Sequence, residues 1–210
     1  MKEKGANKAY GPVNGSSWFG YRFNLNSDVP RYAGQPYQPL YYMKHWDTFG
    51  FENEFIYETN LIPAEMIKPM NWQGLEQILA QMELVLEYYP MGLTDEEVEV
   101  MRQFYNDCFK ENPLFRPINF KDYKDLTAAA EKYADKKHSY IIRDKNGAVV
   151  SVLISLTDVY HGLHQSGVIK DSFHEKSKLY MKTVATANKW RNNKLSQMLV
   201  NLGCNEASQN

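Results

Sequence analysis

The stretch that leads into Lys182–Gly203 constrains the fold most. Leu179, Met181, Thr183 and Ala185 alternate with Tyr180, Lys182, Val184 and Thr186, which is the two-residue period of a strand. Leu195, Met198, Leu199 and Leu202 then fall at i, i+3, i+4 and i+7, one face of a helix. Lys189, Arg191, Asn192, Asn193 and Lys194 lie between. A tight loop feeding a helix presents unpaired N–H groups and the positive end of the helix dipole. With basic side chains beside it, that geometry suits a phosphate or pyrophosphate. On these residues alone, an ordinary strand–helix unit with a solvated basic loop fits as well.

The rest of the chain supplies more elements of both kinds. Near the start, Lys8–Pro12 reads as a short strand, Val13–Ser17 as a turn and Trp18–Asn24 as β-prone. Asn26–Pro39 is a proline-containing loop, Leu40–Phe49 a short helix closed by Gly50, and Phe51–Glu58 a strand. Trp72–Gln81 reads as a helix through Trp72, Leu75, Ile78 and Leu79, and Met82–Tyr89 as a strand. Thr94-Asp95-Glu96-Glu97 is a capping box opening a helix with the face Val98, Met101, Tyr105, Cys108 and Phe109. A lysine-studded helix follows over Asp122–Tyr133. His138–Arg143 and Ala148–Leu156 flank Asn146-Gly147, the signature of a hairpin. Thr157–Lys176 is a long polar loop and Asn205–Asn210 a polar tail expected to be disordered. Alternating strands and helices imply an α/β or α+β fold, and the hairpin implies a mixed sheet.

Composition narrows the functions available. The formal net charge of −1 offers no overall field for nucleic acid or an anionic membrane. The longest apolar run, Ala148–Leu156, is broken by Ser151 and Ser155 and is too short to span a bilayer. MKEKGANKAY lacks an apolar core of the secretory type, so a cytoplasmic chain is expected. Two cysteines, Cys108 and Cys204, make neither a disulfide framework nor a metal site.

The stretch over Val184–Ser196 resembles motif A of the GNAT N-acyltransferases. There a strand ending in Val-Ala precedes Q/R-x-x-G-x-G/A, whose loop amides hold the pyrophosphate of acetyl-CoA. Laid on this chain the pattern falls on Arg191-Asn192-Asn193-Lys194-Leu195-Ser196. Arg191 fits, while Lys194 and Ser196 occupy the two glycine positions. The resemblance implies a GNAT-like, mostly antiparallel twisted sheet flanked by helices. It also implies acetyl-CoA, or another acyl-CoA, as co-substrate without a metal, and a small-molecule or peptide amine as acceptor. Backbone over Val184, Ala185 and Thr186 would grip the pantetheine arm, and Arg191 through Ser196 the pyrophosphate.

The resemblance extends over most of the chain, with the halves reversed. Residues 82–204 resemble the opening half of such a domain. Residues 1–60, through GPVNGSSW, YQPLYY and WDTFGF, resemble the closing half of an acyltransferase domain in tandem bacterial proteins, and 61–81 link the two. The halves close within one chain, or pair between chains in a swapped homodimer, or belong to a larger tandem protein. Crossing about five strands needs roughly 24 Å. A helix of ~15 Å and up to about 35 Å of extended chain would cover that span. Intrachain closure is therefore the working expectation, with Lys8–Pro12 lying beside Leu179–Thr186 and the cofactor arm between them.

Acyl transfer needs a thioester held near an amine, a polarised carbonyl and routes for two protons. The family's usual thiolate acid, a Tyr four residues before Gly-Phe, maps onto Trp46, which cannot serve. Tyr41 and Tyr42, one turn earlier, are the substitutes, against the plainer reading of aromatic packing. His45 is a candidate base, against the plainer reading of a surface helix residue, and Asn14, Ser16 and Trp18 are candidates for shaping the acceptor pocket, against that of an ordinary turn. His161, His164 and His174 fall on the acceptor side, His161-x-x-His164 without a third ligand for a metal. Cys108 reads as core packing, and Asp95, Glu96 and Glu97 as cap and dipole residues. The rival function is a catalytically silent domain kept for binding or assembly.

Overall fold

The computed structural model describes residues 5, 7–25, 35–36, 38–60, 62–131, 133–157 and 179–208. Four strands build one sheet: β1 (Leu84–Tyr88), β2 (Tyr140–Asp144), β3 (Val149–Thr157) and β4 (Leu179–Thr186). They lie side by side in chain order, each neighbour antiparallel. No parallel pair forms among the described residues, so the expected mixed sheet is an antiparallel one. Two helices, α3 (Asp95–Phe109) and α4 (Phe120–Glu131), separate β1 from β2. An even number of crossings returns the chain antiparallel to where it left.

The sheet is covered on both faces. On one face α2 (Trp72–Ala80) and α5 (Leu195–Ser208) bury Leu75, Leu79, Leu195, Leu199 and Leu202 against Leu84, Leu86, Tyr140, Ile142 and Leu153. On the other, α3 and α4 bury Val98, Met101, Tyr105, Cys108 and Tyr123 against Ile141, Val149, Val152 and Ala185. Val149 and Val152 serve one face, Val150 and Leu153 the other. That three-residue spacing follows from a register shift where Ile142 pairs Ser151 and Arg143 pairs Val149, a bulge that turns the strand over. Each fully buried Leu contributes roughly 1.5–3 kcal/mol.

Local signals behave as their chemistry requires. Thr94 and Glu97 form the reciprocal capping box of α3. The Asn71 side chain accepts the Gly74 N–H and opens α2. Gly147, at φ +80°, closes the β2–β3 hairpin. Two expectations need correction on this side of the molecule. Ile78 is exposed rather than on the buried face of α2. The tail does not fray at Asn205: α5 continues to Ser208. There Glu206 accepts a 2.7 Å hydrogen bond from the Tyr140 hydroxyl, and Asn205 donates to the Lys68 and Asn201 carbonyls.

The described residues of the first 60 contain one helix, α1 (Tyr41–Thr48), and none of the three strands expected there. Val13 and Tyr21 make a single antiparallel bridge. Around it the chain is held by side chains. Lys8 pairs with Glu54 at 2.8 Å, Tyr10 stacks on Phe55, Tyr21 meets Tyr57 edge-on, and Trp46 packs against Phe23 and Phe51. Residues 8–12 thus run beside 54–55, and β4 pairs with no described strand on its outer edge. The expected strand partnership between Lys8–Pro12 and Leu179–Thr186 does not form. Aromatic side chains dominate this segment, and they pack without committing the backbone to a ladder.

Among the described residues, Trp18 anchors the head of the chain to the sheet domain. Its ring sits among Tyr105, Phe109, Phe115 and Tyr123 at centroid distances of 5.9–6.4 Å. Its indole N–H donates to the Arg116 carbonyl at 3.1 Å. Ser17 donates its N–H to the Leu114 carbonyl at 3.1 Å. No helix among the described residues is long and apolar enough to cross a membrane.

Candidate functional site

β4 is an edge strand, and its hydrogen-bond phase decides what that edge offers. The N–H of Ala187 donates to the Val150 carbonyl at 2.8 Å. Pairing alternates along an antiparallel ladder, so Ala185, opposite Val152, turns its groups toward β3. The Ala185 carbonyl accordingly accepts from the Ser151 hydroxyl at 3.0 Å. Val184 and Thr186 therefore turn their N–H and C=O outward, to the edge that no described strand pairs. Thr186 is steadied through its own hydroxyl, 2.8 Å from Ser151 Oγ.

Beyond β4 the chain makes a 3-10 turn over Asn188–Trp190 and enters α5. Asn192 and Lys194 adopt positive φ, +74° and +59°. Lys194 thus takes, without being glycine, the left-handed conformation that glycine adopts most easily. Its carbonyl accepts the Met198 N–H at 2.9 Å, so the helix begins at Leu195. The amides of Leu195, Ser196 and Gln197 have no carbonyl one turn back. A lysine side chain has no acceptor with which to cap them. Leu195 is buried and anchors the turn.

The basic residues of the turn divide in two. Arg191 donates to the Cys108 carbonyl at 2.7 Å, which places a cation at the C-terminal end of α3, where the dipole favours it. Lys189 lies 3.7 Å from Asp144. Lys194 is exposed and makes no ion pair among the described residues. Arg191 therefore ties the turn to the body of the protein, while Lys194 stays exposed at the start of α5.

The other residues singled out by sequence are dispersed. Tyr41 and Tyr42 are exposed on α1, edge-on to each other at 4.9 Å, with His45 beside Tyr41. Neither lines the groove that runs along β4. Trp46 is packing: a Cβ at Gly11 would stand 2.1 Å from its ring. Asn14 and Ser16 shape a turn, in which Asn14 N–H donates to the Gly20 carbonyl and buried Ser16 Oγ accepts the Trp18 N–H. Cys108 is buried, and burial pushes its thiol up to about 11, so it is a protonated core residue at neutral pH. Asp95 pairs with Lys124, and Glu97 serves the cap of α3. His161, His164 and His174 lie outside the described residues. No group of three or more metal-ligating side chains occurs among the described residues.

Two residues absent from the sequence-based expectations, Arg22 and Lys182, line the same groove beside β4, near enough for the Arg22 charge to act on the Lys182 ammonium. The register of β3 on β4 slips between Ile154 and Ser155, so Lys182 is the extra residue of a bulge. Met181 and Val184, three apart, both pack toward the α2–α5 face. Lys182 shares its side of the strand with Tyr180, whose ring its ammonium overlies at 5.8 Å. A lysine at an alternating strand position reads in sequence as solvated, and the bulge that turns it into the groove leaves no local signal.

No family model matches this chain, and no curated relative does. Among solved structures, a possible acetyltransferase from Clostridium difficile 630 aligns with a TM-score of 0.39 at 10% identity, over 56% of this chain and 66% of that one. A GNAT family acetyltransferase from Brucella melitensis in complex with acetyl-CoA aligns with a TM-score of 0.40 at 13% identity, over 60% and 69%. A GCN5-related glucosamine N-acetyltransferase region of a fungal multi-domain β-N-acetylglucosaminidase aligns at 0.40 and 10%, covering 59% of this chain and 12% of that one. The chain thus spans just under two thirds of the first and a small part of the last.

Proposed function

We propose that the protein is an acyl-CoA-dependent N-acyltransferase of the GNAT type, acting on a small-molecule or peptide amine in the cytoplasm. The observation that carries this reading is the unit Leu179–Ser208. It combines an edge strand with outward-turned Val184 and Thr186 backbone, a left-handed residue at the first glycine position of the motif, and a helix N-terminus preceded by Lys194, whose side chain holds no acceptor to cap it. The first-turn amides of α5 and the Lys194 side chain suit a pyrophosphate. The outward groups of Val184 and Thr186 suit the amides of a pantetheine arm, as an added strand would. Arg191 acts through the loop, by its bond to the Cys108 carbonyl.

The step this arrangement serves is direct transfer. The neutral amine attacks the thioester carbonyl, the C–N bond forms and the C–S bond breaks. The amine loses one proton and the departing thiolate gains one, giving an amide and free CoA. For the acid of this step Tyr41 and Tyr42 stand as the sequence-derived candidates. The halves are read as closing within one chain, in permuted order.

A second reading, an inert domain of the same fold, is favoured by one feature. The Lys194 Cβ and the Ser196 side chain stand where the motif has glycine, and they crowd the approach of phosphate. Isothermal titration with acetyl-CoA separates the two. The enzyme reading expects micromolar to millimolar binding that is lost on Lys194→Glu. Absence of binding at millimolar acetyl-CoA would leave the inert domain.

A further inference from the structure

The groove beside β4 holds a pair of cations that the proposed transfer does not itself require. Arg22 sits in the left-handed region at φ +65°, with its N–H donating to the Pro12 carbonyl at 3.1 Å. Its guanidinium lies 5.0 Å from the Tyr21 ring centroid and 5.1 Å from that of Tyr57. It also donates to the Tyr21 hydroxyl at 3.3 Å. Two rings, one hydroxyl and a constrained backbone therefore fix one arginine at the wall of the groove. It makes no ion pair among the described residues.

Lys182 enters the same groove from the β4 bulge. Of the groove's acids, Glu54, Glu58 and Glu131, none is a cause of the shift at Lys182. Glu54 is bound by Lys8 at 2.8 Å, and Glu131 accepts the Gly92 N–H at 2.6 Å. Lys182 keeps part of its surface in solvent, yet enough protein surrounds its ammonium to lower its proton affinity. Burial is the first cause and the facing Arg22 charge the second; no carboxylate offsets either. Two like charges held in a partly enclosed, tyrosine-lined groove stabilise an anion between them. A fixed guanidinium supplies the planar fork and a lysine the point charge that acid groups take.

We propose that Arg22 and Lys182 hold the acid group of a small amine, so that the acceptor is an amino acid or a phosphorylated amine rather than a neutral or polycationic one. This rests on the acyltransferase reading for its use of the amine, but the anion site stands on the groove alone. Lys182 is two residues before Val184 on the same strand, so an acid held there leaves a short amine-bearing arm within reach of a thioester laid along the edge.

The test uses the whole chain and matched probes: the protein amino acids against their carboxamides, and O-phosphoethanolamine against ethanolamine. Binding is read by ¹⁵N chemical-shift titration at millimolar probe, and turnover by thiol release from acetyl-CoA. Acids are expected to bind and the neutral partners to lose about tenfold or more, with the two acid types separated by which pair responds. Arg22→Gln and Lys182→Gln should each remove that preference while acetyl-CoA affinity stays unchanged. Because Lys182 is solvent-exposed, Lys182→Gln remains informative if Arg22→Gln fails to fold. Equal binding of acids and neutral partners, no acid binding at all, or acid binding unaltered in Lys182→Gln would each overturn the proposal. Acid binding that is lost in Lys182→Gln, in a protein that ignores acetyl-CoA, would uphold the anion site and remove the acyltransferase reading.

Discussion

Lys194 carries two costs at once. A side-chain-bearing residue in the left-handed region is strained by roughly 1–2 kcal/mol, and its Cβ stands where the motif has none. Lys194→Gly relieves the strain and gives back part of the gain through a looser unfolded chain. The expected net change is a stabilisation of about 0.5 kcal/mol, seen as a higher urea midpoint. Sequence exposed this residue because the motif spacing placed it. It could not expose Arg22 or Lys182, whose meeting depends on a bulge in β4 and on how a strandless head segment folds back.

At the level of elements, Trp18 stands in for a strand. A ladder between Lys8–Pro12 and β4 would have tied the two halves by backbone; instead one indole fills a slot among four rings of the α3–α4 layer. Trp18→Ala should cost about 2–3 kcal/mol, at or below the low end for a large aromatic because the ring is half-buried. Most of that loss should be undocking rather than global unfolding. Hydrogen exchange should rise over residues 8–25 and 40–60 while Leu84–Asp144 and Val149–Leu156 keep their protection. Helices α2, α3 and α5 and all four strands could be read from periodicity, caps and the Asn-Gly turn. The extended stretches of the first 60 residues could not, since β-prone aromatics fit stacked coil as well as a pleated surface. The tail beyond Asn205 was also opaque, because its helicity comes from contacts to Tyr140 and Lys68 that local composition does not reveal.

For the whole molecule, two measurements follow from how it is closed. Burial pushes the Tyr89 phenol up to about 12 and raises Tyr105, Tyr123 and Tyr140 further, Tyr140 also through its bond to Glu206. Groups with folded values above their unfolded ones contribute stability that is intact below the unfolded value, near 10, and is lost as pH rises beyond it. Stability should therefore hold up to about pH 10 and fall steeply toward pH 12, with tyrosinate absorbance appearing together with loss of the circular dichroism signal. Sedimentation should give 24.5 kDa, since Trp18 reaches its slot within one chain; twice that mass would indicate exchange of halves between copies.

The position of Trp18's slot also sets an order of events during synthesis. The slot is lined by residues as late as Tyr123, and the layer beneath it is completed only by Val152 and Ala185. On the ribosome the Trp18 segment therefore emerges before its slot exists, and must wait until residues beyond Tyr123 have followed it. A nascent chain stalled before residue 123 should leave the aromatic side chains around Trp18 within reach of chaperones.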